Sequence, residues 1–342
     1  MTGSAGRYAE LAAAVRSYKA DLTHRDQIER MIEAGSLSET VGQLTRGQLA
    51  LADNGDLAPV EAFLIQRVIS IATNLSAYAP YDSRSLIRLV SQRYEFDCVK
   101  QLLKCTIEQM DPEEALRDIS PAGRFTAERC KELIEARNPN RVIDALANDD
   151  LKQVTSSKLS EKNAKATVAA VEQYYYRKLW AASNLPDPLD AQSARSLIGG
   201  FIDHLNVLLA LRAKLVGLDS RTTSEMMISI NYGLGKAFSE VAEASSLANA
   251  MRAIDKTPYS SAFQNLAASE GVNVDVERAL HINHAQSCLN SFAGPPFNVG
   301  LALGLLFLKD YELRDLLSVI NGKANNLPTD RIAASLILNL AP

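Results

Sequence analysis

Apolar residues recur at three- and four-residue steps along almost the whole chain, the spacing that places them on one face of an α-helix. We find no convincing run of alternating apolar and polar residues between turn signals, so the pattern does not favour strands. One helix start is clear at 111–114, where Asp precedes Pro at the first helical position and two Glu follow in the first turn. Clusters of Gly, Pro, Asn and Asp mark breaks at 53–56, 138–140, 185–188 and 294–296. The pattern predicts an all-α fold.

Three stretches of the sequence, 97–105, 206–214 and 315–323, can be laid over one another. Each begins with a short acid or amide and has an aliphatic residue five positions later. The first positions of successive stretches are 109 residues apart in both cases. We call these polar and aliphatic positions the repeat anchors. The repeat anchors are Asp97, Asn206, Asp315, Leu102, Leu211 and Ile320.

Other landmarks recur in the same order. A Val-Glu pair lies 35 to 39 residues before each polar anchor, at 60–61, 171–172 and 276–277. An apolar stretch lies further upstream each time and contains Leu44, Leu146 and Ile254. Such internal repetition predicts three helical repeats, 1–115, 116–223 and 224–342, each long enough for a small core of its own. We expect three similar helical-bundle lobes in a pseudo-threefold arrangement around a central depression.

The third repeat contains the segments 294–300, 308–316, 320–323 and 327–332, which read GPPFNVG, LKDYELRDL, INGK and LPTDRI. Together with NVLLALRAK at 206–214 and the tyrosines at 174–176, these segments resemble the C subunit of the archaeal and bacterial A/V-type rotary ATP synthases. That family is related to the d subunit of the eukaryotic vacuolar ATPase. The resemblance extends over essentially the whole chain. Two departures are Lys104-Cys105, where the family tends toward Arg-x-Lys, and Asp315, where Asn is typical.

The resemblance implies a non-catalytic rotor subunit, with no cofactor, no metal and no direct nucleotide binding. It implies a funnel-like, all-helical socket that couples the central-stalk subunits, a coiled-coil shaft and its companion, to the membrane proteolipid ring during ATP synthesis or hydrolysis linked to ion transport. The expected location is peripheral, on the cytoplasmic face of the membrane. Packing and helix-turn patterns carry the resemblance, so it indicates no catalytic residues and leaves the interface residues unknown. The alternative is a stand-alone all-α scaffold that binds another protein in its central cavity.

Composition agrees with a protein-binding role. The chain has 342 residues, 36 basic and 40 acidic side chains and a net charge of −4, whereas nucleic-acid binding normally requires an excess of Lys and Arg. Four cysteines without a CxxC pair indicate reduced, mostly buried thiols. The longest unbroken apolar stretch, Val299–Leu308, is shorter than the roughly 18 residues of a membrane span. Charged residues interrupt the N-terminal segment, so we expect no secretion signal.

Three motifs invite a chemical interpretation. Gly233–Lys236 has part of a phosphate-binding loop but lacks its first glycine and its hydroxyl residue, which favours a helix terminus or loop. His281 and His284 share a helix face, and Glu277 lies one turn before them, so a metal enzyme is a third hypothesis. A surface or partly buried position is the alternative that we favour for both histidines. The aromatic cluster at 174–180 favours core packing plus an interface over stacking on bases.

Overall fold

The computed structural model describes residues 3–51, 55–263 and 272–338. Helices account for 73% of these residues and no strand occurs among them, which confirms the predicted all-α class. The α-helices are α1 (Gly3–Ala20), α2 (Arg25–Glu33), α3 (Leu37–Leu44), α4 (Ala58–Tyr78), α5 (Tyr81–Ser91), α6 (Arg93–Ile107), α7 (Pro112–Arg117), α8 (Ala127–Glu135), α9 (Pro139–Asp144), α10 (Asp149–Ser160), α11 (Ala164–Ala182), α12 (Pro188–Leu215), α13 (Ser220–Met226), α14 (Ala237–Glu243), α15 (Leu247–Ile254), α16 (Val272–Asn290), α17 (Gly300–Ala324) and α18 (Thr329–Ser335).

Polar caps set many of the helix starts. The Asp111 side chain accepts hydrogen bonds from the backbone N–H groups of Glu113 and Glu114 at 3.0 and 3.3 Å, and Pro112 occupies the first turn. Asp187 and Asp219 cap α12 and α13 in the same way. Each cap satisfies backbone donors that have no partner within the helix. The predicted start at 111–114 is therefore the start of α7.

The helices follow one order three times along the chain. Each series contains two short helices, then two long helices and then one short helix. In the first series the short helices are α2 and α3, the long helices are α4 and α5–α6, and the last short helix is α7. The same order recurs in α8, α9, α11, α12 and α13, and again in α14 to α18. In the first series the second long helix is divided at Gln92, which keeps helical backbone angles. The helices α1 and α10 lie outside this order.

Contacts between helices form a closed series. The helix α6 packs on α8, α9 and α11, and α12 packs on α14, α15 and α16. In turn α17 packs on α2, α3 and α4, so the last long helix lies against the first series of helices. Each second long helix therefore contacts the helices that follow it in the repeated order, and the last of them contacts the first series. The division of the chain into three repeats at residues 115 and 223 remains a prediction, and so does the pseudo-threefold, funnel-like arrangement of the lobes.

The core is continuous around α17. Residues 300–313 of this helix are buried, and they include all but the first residue of the apolar stretch Val299–Leu308. Gly304 permits this packing, because a β-carbon there would lie 2.4 Å from the Ser291 hydroxyl and 3.0 Å from the Cys288 carbonyl oxygen. In the described part of the chain, α12 alone has the length and hydropathy of a membrane span. Within the fold 78% of its apolar window is buried, as in the core helix of a soluble protein.

Candidate functional site at the junction of the long helices

The second long helices of the three series meet at a buried junction that contains charged side chains. A narrow cavity lies there, lined by residues of α4, α5, α6, α11, α12 and α17. Its volume of about 10 Å³ is near the minimum for one water molecule and too small for a metabolite. Arg93, Tyr94, Phe201 and Asp310 form part of its wall. We call this region the central junction.

Asp310 is the charged centre of the junction. Its carboxylate forms an ion pair with Arg93, accepts a hydrogen bond of 2.7 Å from the Tyr94 hydroxyl, and accepts one of 3.2 Å from Nε of Arg314. Burial alone would raise the pKa of the Asp310 carboxyl, but the two guanidinium groups outweigh it and hold that pKa well below its usual range. Asp310 is therefore ionised and fully paired.

This arrangement is suited to holding helices together. The Arg93–Asp310 pair joins α6 to α17, and the Arg93 guanidinium lies 5.7 Å from the centre of the Phe201 ring on α12. Neither partner is suited to proton transfer, because Asp310 is stabilised as the anion and arginine stays protonated. The geometry supports a structural link between the three series of helices.

Two of the three polar repeat anchors make equivalent contacts. The Asn206 side chain accepts a hydrogen bond of 2.7 Å from the Ile228 N–H and donates to the carbonyls of Ile228 and Ile230 at 3.0 Å. The Asp315 carboxylate accepts bonds of 2.7 and 2.8 Å from the N–H groups of Ile337 and Leu338. In both cases a long helix holds the backbone segment that begins 22 residues later. Burial raises the pKa of Asp315 to about 6.

Asp97 makes a different contact from the other two polar anchors. It is half exposed and pairs with Lys100 at 2.8 Å. The corresponding downstream segment is held by Gln101 instead, whose side-chain oxygen accepts a bond of 3.1 Å from the Ser120 N–H. The aliphatic anchors do agree, since all three are buried in the core. These residues are Leu102, Leu211 and Ile320.

Both histidines of the metal hypothesis lie in the core, not in the surface or partly buried position that the sequence favoured. They are buried because α16 packs against both α12 and α17. The His284 ring nitrogens contact the Tyr311 hydroxyl and the Leu197 carbonyl, each at 2.9 Å, so neither is available to a metal. His281 lies 3.4 Å from the Glu277 carboxylate. Among the residues with described positions, no three potential ligands are grouped to hold an ion.

The glycine-rich motif at 233–236 lies against a carboxylate. Asp203 accepts hydrogen bonds from the N–H groups of Tyr232 and Gly233 at 3.1 and 2.6 Å, and from the Tyr259 hydroxyl at 2.6 Å. A phosphate would need these same amide groups as hydrogen-bond donors. The negative charge of the Asp203 carboxylate would also repel a phosphate. The motif is a loop that is held by Asp203, as its incomplete sequence indicated.

The aromatic cluster at 174–180 packs mainly in the core. Tyr175 and Tyr176 are buried, and the Tyr175 ring lies 5.0 Å from that of Phe96. The Tyr175 hydroxyl donates to the Leu89 carbonyl at 3.2 Å. The buried rings of Tyr175 and Tyr176 contribute to packing and are closed to bases, whereas Tyr174 and Trp180 of the same cluster are only partly buried. The core interpretation of these tyrosines therefore holds.

Asp190 joins three interhelical connections at one end of the molecule. It accepts hydrogen bonds from the Val299 N–H at 2.9 Å and from the Tyr8 hydroxyl at 2.6 Å, and Tyr8 also reaches Ser83 at 3.5 Å. The α4–α5, α11–α12 and α16–α17 connections therefore come together, and we call this region the turn end. Exposed apolar side chains lie beside it. These are Tyr78, Tyr81 and Leu189, with exposures of 48%, 86% and 39%.

Sequence reasoning missed Asp190, Asp203 and Asp310, which organise these three regions. Each lies within a helical pattern, and its partners outside its own helix lie at least 29 residues away along the chain. No local signal marks Asp310, because its helix carries several other charged side chains, among them Lys309, Glu312 and Arg314. A charge in a helix of this kind does not identify its partner.

The buried polar groups of this all-helical body join helices that are distant along the chain. Residues 11–335 match the sequence model of the family described as ATP synthase (C/AC39) subunit. The C subunit of the A-type ATP synthase of Methanocaldococcus jannaschii is 23% identical, covering 96% of this chain and 86% of the relative. That of Methanosphaera stadtmanae is 24% identical, covering 95% and 86%.

The chain belongs to the ATP synthase (C/AC39) subunit family. The family resemblance that the sequence motifs indicated is thereby confirmed. As an ATP synthase subunit, the protein assembles with other subunits of that complex.

Proposed function

We propose that this chain is the non-catalytic rotor subunit that couples the central stalk of an A-type ATP synthase to the membrane proteolipid ring. Its curated relatives are named as the C subunit of A-type ATP synthases, which supports this assignment. The role would place the protein on the cytoplasmic face of the membrane, as a peripheral subunit. Its partners would be the coiled-coil shaft, the companion of the shaft and the ring.

The closed series of helix contacts is the observation that carries the proposal. Because α6, α12 and α17 each pack on the next group of helices, a load applied to one group passes to the other two. A close-packed interior changes shape little under such a load. The central junction adds the Arg93–Asp310 pair and so resists separation of α6 from α17. A body of this kind suits the transmission of torque between a shaft and a ring.

The turn end is proposed as one of the two docking faces. Tyr78, Tyr81 and Leu189 expose apolar surface at the α4–α5 and α11–α12 connections, next to the prolines of the same connections. Exposed tyrosine at a rigid position is typical of protein interfaces, where it contributes a large contact area at a small entropic cost. Asp190 keeps the three connections together and would give this face a fixed shape.

Reconstitution tests the assignment. Purified chain is mixed with the shaft and its companion, and separately with detergent-solubilised ring, and complexes are measured by size-exclusion chromatography. We expect binding to both. A double substitution, Tyr78→Ser with Tyr81→Ser, should weaken one of the two complexes by tenfold or more, a typical loss for an interface hot spot. Tyr232→Ser, at a tyrosine with 45% exposure on the side of α12, is the matched control and should bind normally.

Failure to bind either partner, with folding verified by circular dichroism, would contradict the rotor role. The stand-alone scaffold would then be the better description. Unchanged binding by the tyrosine double variant would leave the rotor role intact and remove the turn end as a docking face.

A further inference from the structure

Two cysteines meet where α6 packs on α8. The sulfur of Cys98 lies 3.6 Å from the sulfur of Cys130, and both side chains are at most 1% exposed. The remaining cysteines, Cys105 and Cys288, have no other thiol beside them; Cys288 lies against His284 instead. Among the four thiols of the chain, only Cys98 and Cys130 therefore form a pair.

The separation of the pair is compatible with a covalent bond. A disulfide requires the sulfurs to lie about 2.0 Å apart, so each must move by less than about 1 Å. A change in the side-chain torsion angles of the two cysteines supplies a movement of that size without displacement of either helix. The described part of the chain places no third ligand with them, which argues against a metal site.

A surface groove leads to the pair. It lies between the N-terminal part of α4 and the segment from Leu116 to Lys131, has a volume of about 680 Å³, and has Cys130 in its lining. Most of that lining is apolar, which admits a small uncharged molecule. Either sulfur can donate in the Cys98–Cys130 contact; with the Cys98 thiol as the donor, the contact lowers the pKa of Cys130 against the opposing effect of burial. Cys130 is thus the better nucleophile of the two, because the thiolate is the form that reacts.

We propose that Cys98 and Cys130 are a peroxide-sensitive dithiol that closes to a disulfide between α6 and α8. The Cys130 thiol first ionises, and its thiolate attacks one oxygen of hydrogen peroxide; the S–O bond forms, the O–O bond breaks, and the departing hydroxide takes up the proton that Cys130 released and leaves as water. Cys98 then attacks the sulfur of the sulfenic acid; the S–S bond forms, the S–O bond breaks, and a second water leaves. Two thiols are oxidised and one peroxide is reduced. Because both sulfurs are covered, the reaction follows local opening and is slower than at an exposed thiol.

The disulfide would covalently link two helices that belong to different series. It joins α6, the second long helix of the first series, to α8, the first helix of the second series. Closing a loop between residues 98 and 130 restricts the unfolded chain, and for a protein of this size we expect Tm to rise by about 5 °C. Oxidation would therefore stiffen the body, and a dithiol reductant would reverse it. This inference does not depend on which partners the protein binds.

Thiol counting tests the proposal. Native protein is treated with hydrogen peroxide, the peroxide is removed, and free thiols are titrated with Ellman's reagent in denaturant. We expect the count to fall from four to two, with an intact mass lower by about 2 Da. Peptide mapping should find residues 98 and 130 in one disulfide-linked pair. Dithiothreitol should restore four thiols and the original Tm.

Single substitutions separate this pair from the other thiols. Cys105→Ala, the matched control, should still lose two thiols on treatment, whereas Cys98→Ala should form no intramolecular disulfide. The proposal is overturned if the wild-type chain keeps all four thiols in peroxide, or if the bridge joins other cysteines. It is also overturned if Cys98→Ala forms an intramolecular disulfide as readily as the control. Mapping of the wild-type protein decides the matter even if a variant fails to fold.

Discussion

Replacement of Asp310 by Asn tests whether the central junction holds the long helices together. The substitution keeps the volume of the side chain and removes its charge. Arg93, whose side chain is 13% exposed, then loses its carboxylate partner, and Arg314 loses one as well. Removing one partner of a buried ion pair costs about 3–5 kcal/mol, because the other charge stays buried without compensation. Unfolding entropy scales with chain length, so for 342 residues this loss lowers Tm by roughly 4–7 °C.

Urea denaturation and calorimetry of wild type and variant measure the effect. Asp144→Asn is the matched control, because it breaks an exposed pair with Lys152 at 2.8 Å and should cost less than about 1 kcal/mol. The double variant Arg93→Met, Asp310→Leu removes both charges and should recover most of the stability that Asp310→Asn loses. A loss below about 1 kcal/mol for Asp310→Asn would refute the reasoning. So would a double variant no more stable than the single one.

Three further predictions concern the anchors and the buried histidines. Asn206→Leu removes the side-chain partner of the Ile228 N–H and of the Ile230 carbonyl and should cost about 2–4 kcal/mol in urea denaturation; an unchanged midpoint would contradict this. Leu211→Asp buries an unpaired charge and should lower the free energy of unfolding by several kcal/mol. Leu215→Asp, at a 42% exposed position, should change that free energy little. Equal effects of the two substitutions would show that Leu211 does not face the core. Burial lowers the pKa of His284 to about 4, so the folded state favours the neutral ring, and the stability that it contributes should decline as pH falls from about 6.5 toward 4. His284→Gln should flatten that decline in urea titrations at pH 7 and pH 5, and an identical slope would count against the assignment.

Local signals in the sequence predicted much of the architecture. The helical period arises from side chains on one face of each helix, and the caps arise from contacts within a few residues, as at Asp111. Both are properties of neighbouring residues, which explains why α7 begins where the sequence indicated. The recurrence of landmarks at intervals near 109 residues likewise needs no three-dimensional information. The contacts of Asn206 and Asp315 with segments 22 residues later give the anchors a physical meaning that spacing alone lacked.

Long-range partners were outside the reach of sequence reasoning. Asp310 pairs with Arg93, which lies 217 residues away along the chain, and Asp190 accepts a hydrogen bond from the N–H of Val299, 109 residues away. No pattern along the chain distinguishes these acids from those that cap helices or face water. The histidines show the same effect, because burial of His281 and His284 depends on α16 lying between two other helices. Cys98 and Cys130 also meet only because α8 returns to α6.

The sequence by itself therefore determined the helical class, the positions of many helix ends and the family, since these depend on periodicity, capping and the order of motifs. Tertiary structure alone decided which charges are paired and buried, which thiols touch and which apolar side chains stay exposed at the turn end. The physical reason is that helix formation is driven by neighbours in the chain. The pairing and burial of side chains depend on helices that are distant in sequence and adjacent in space.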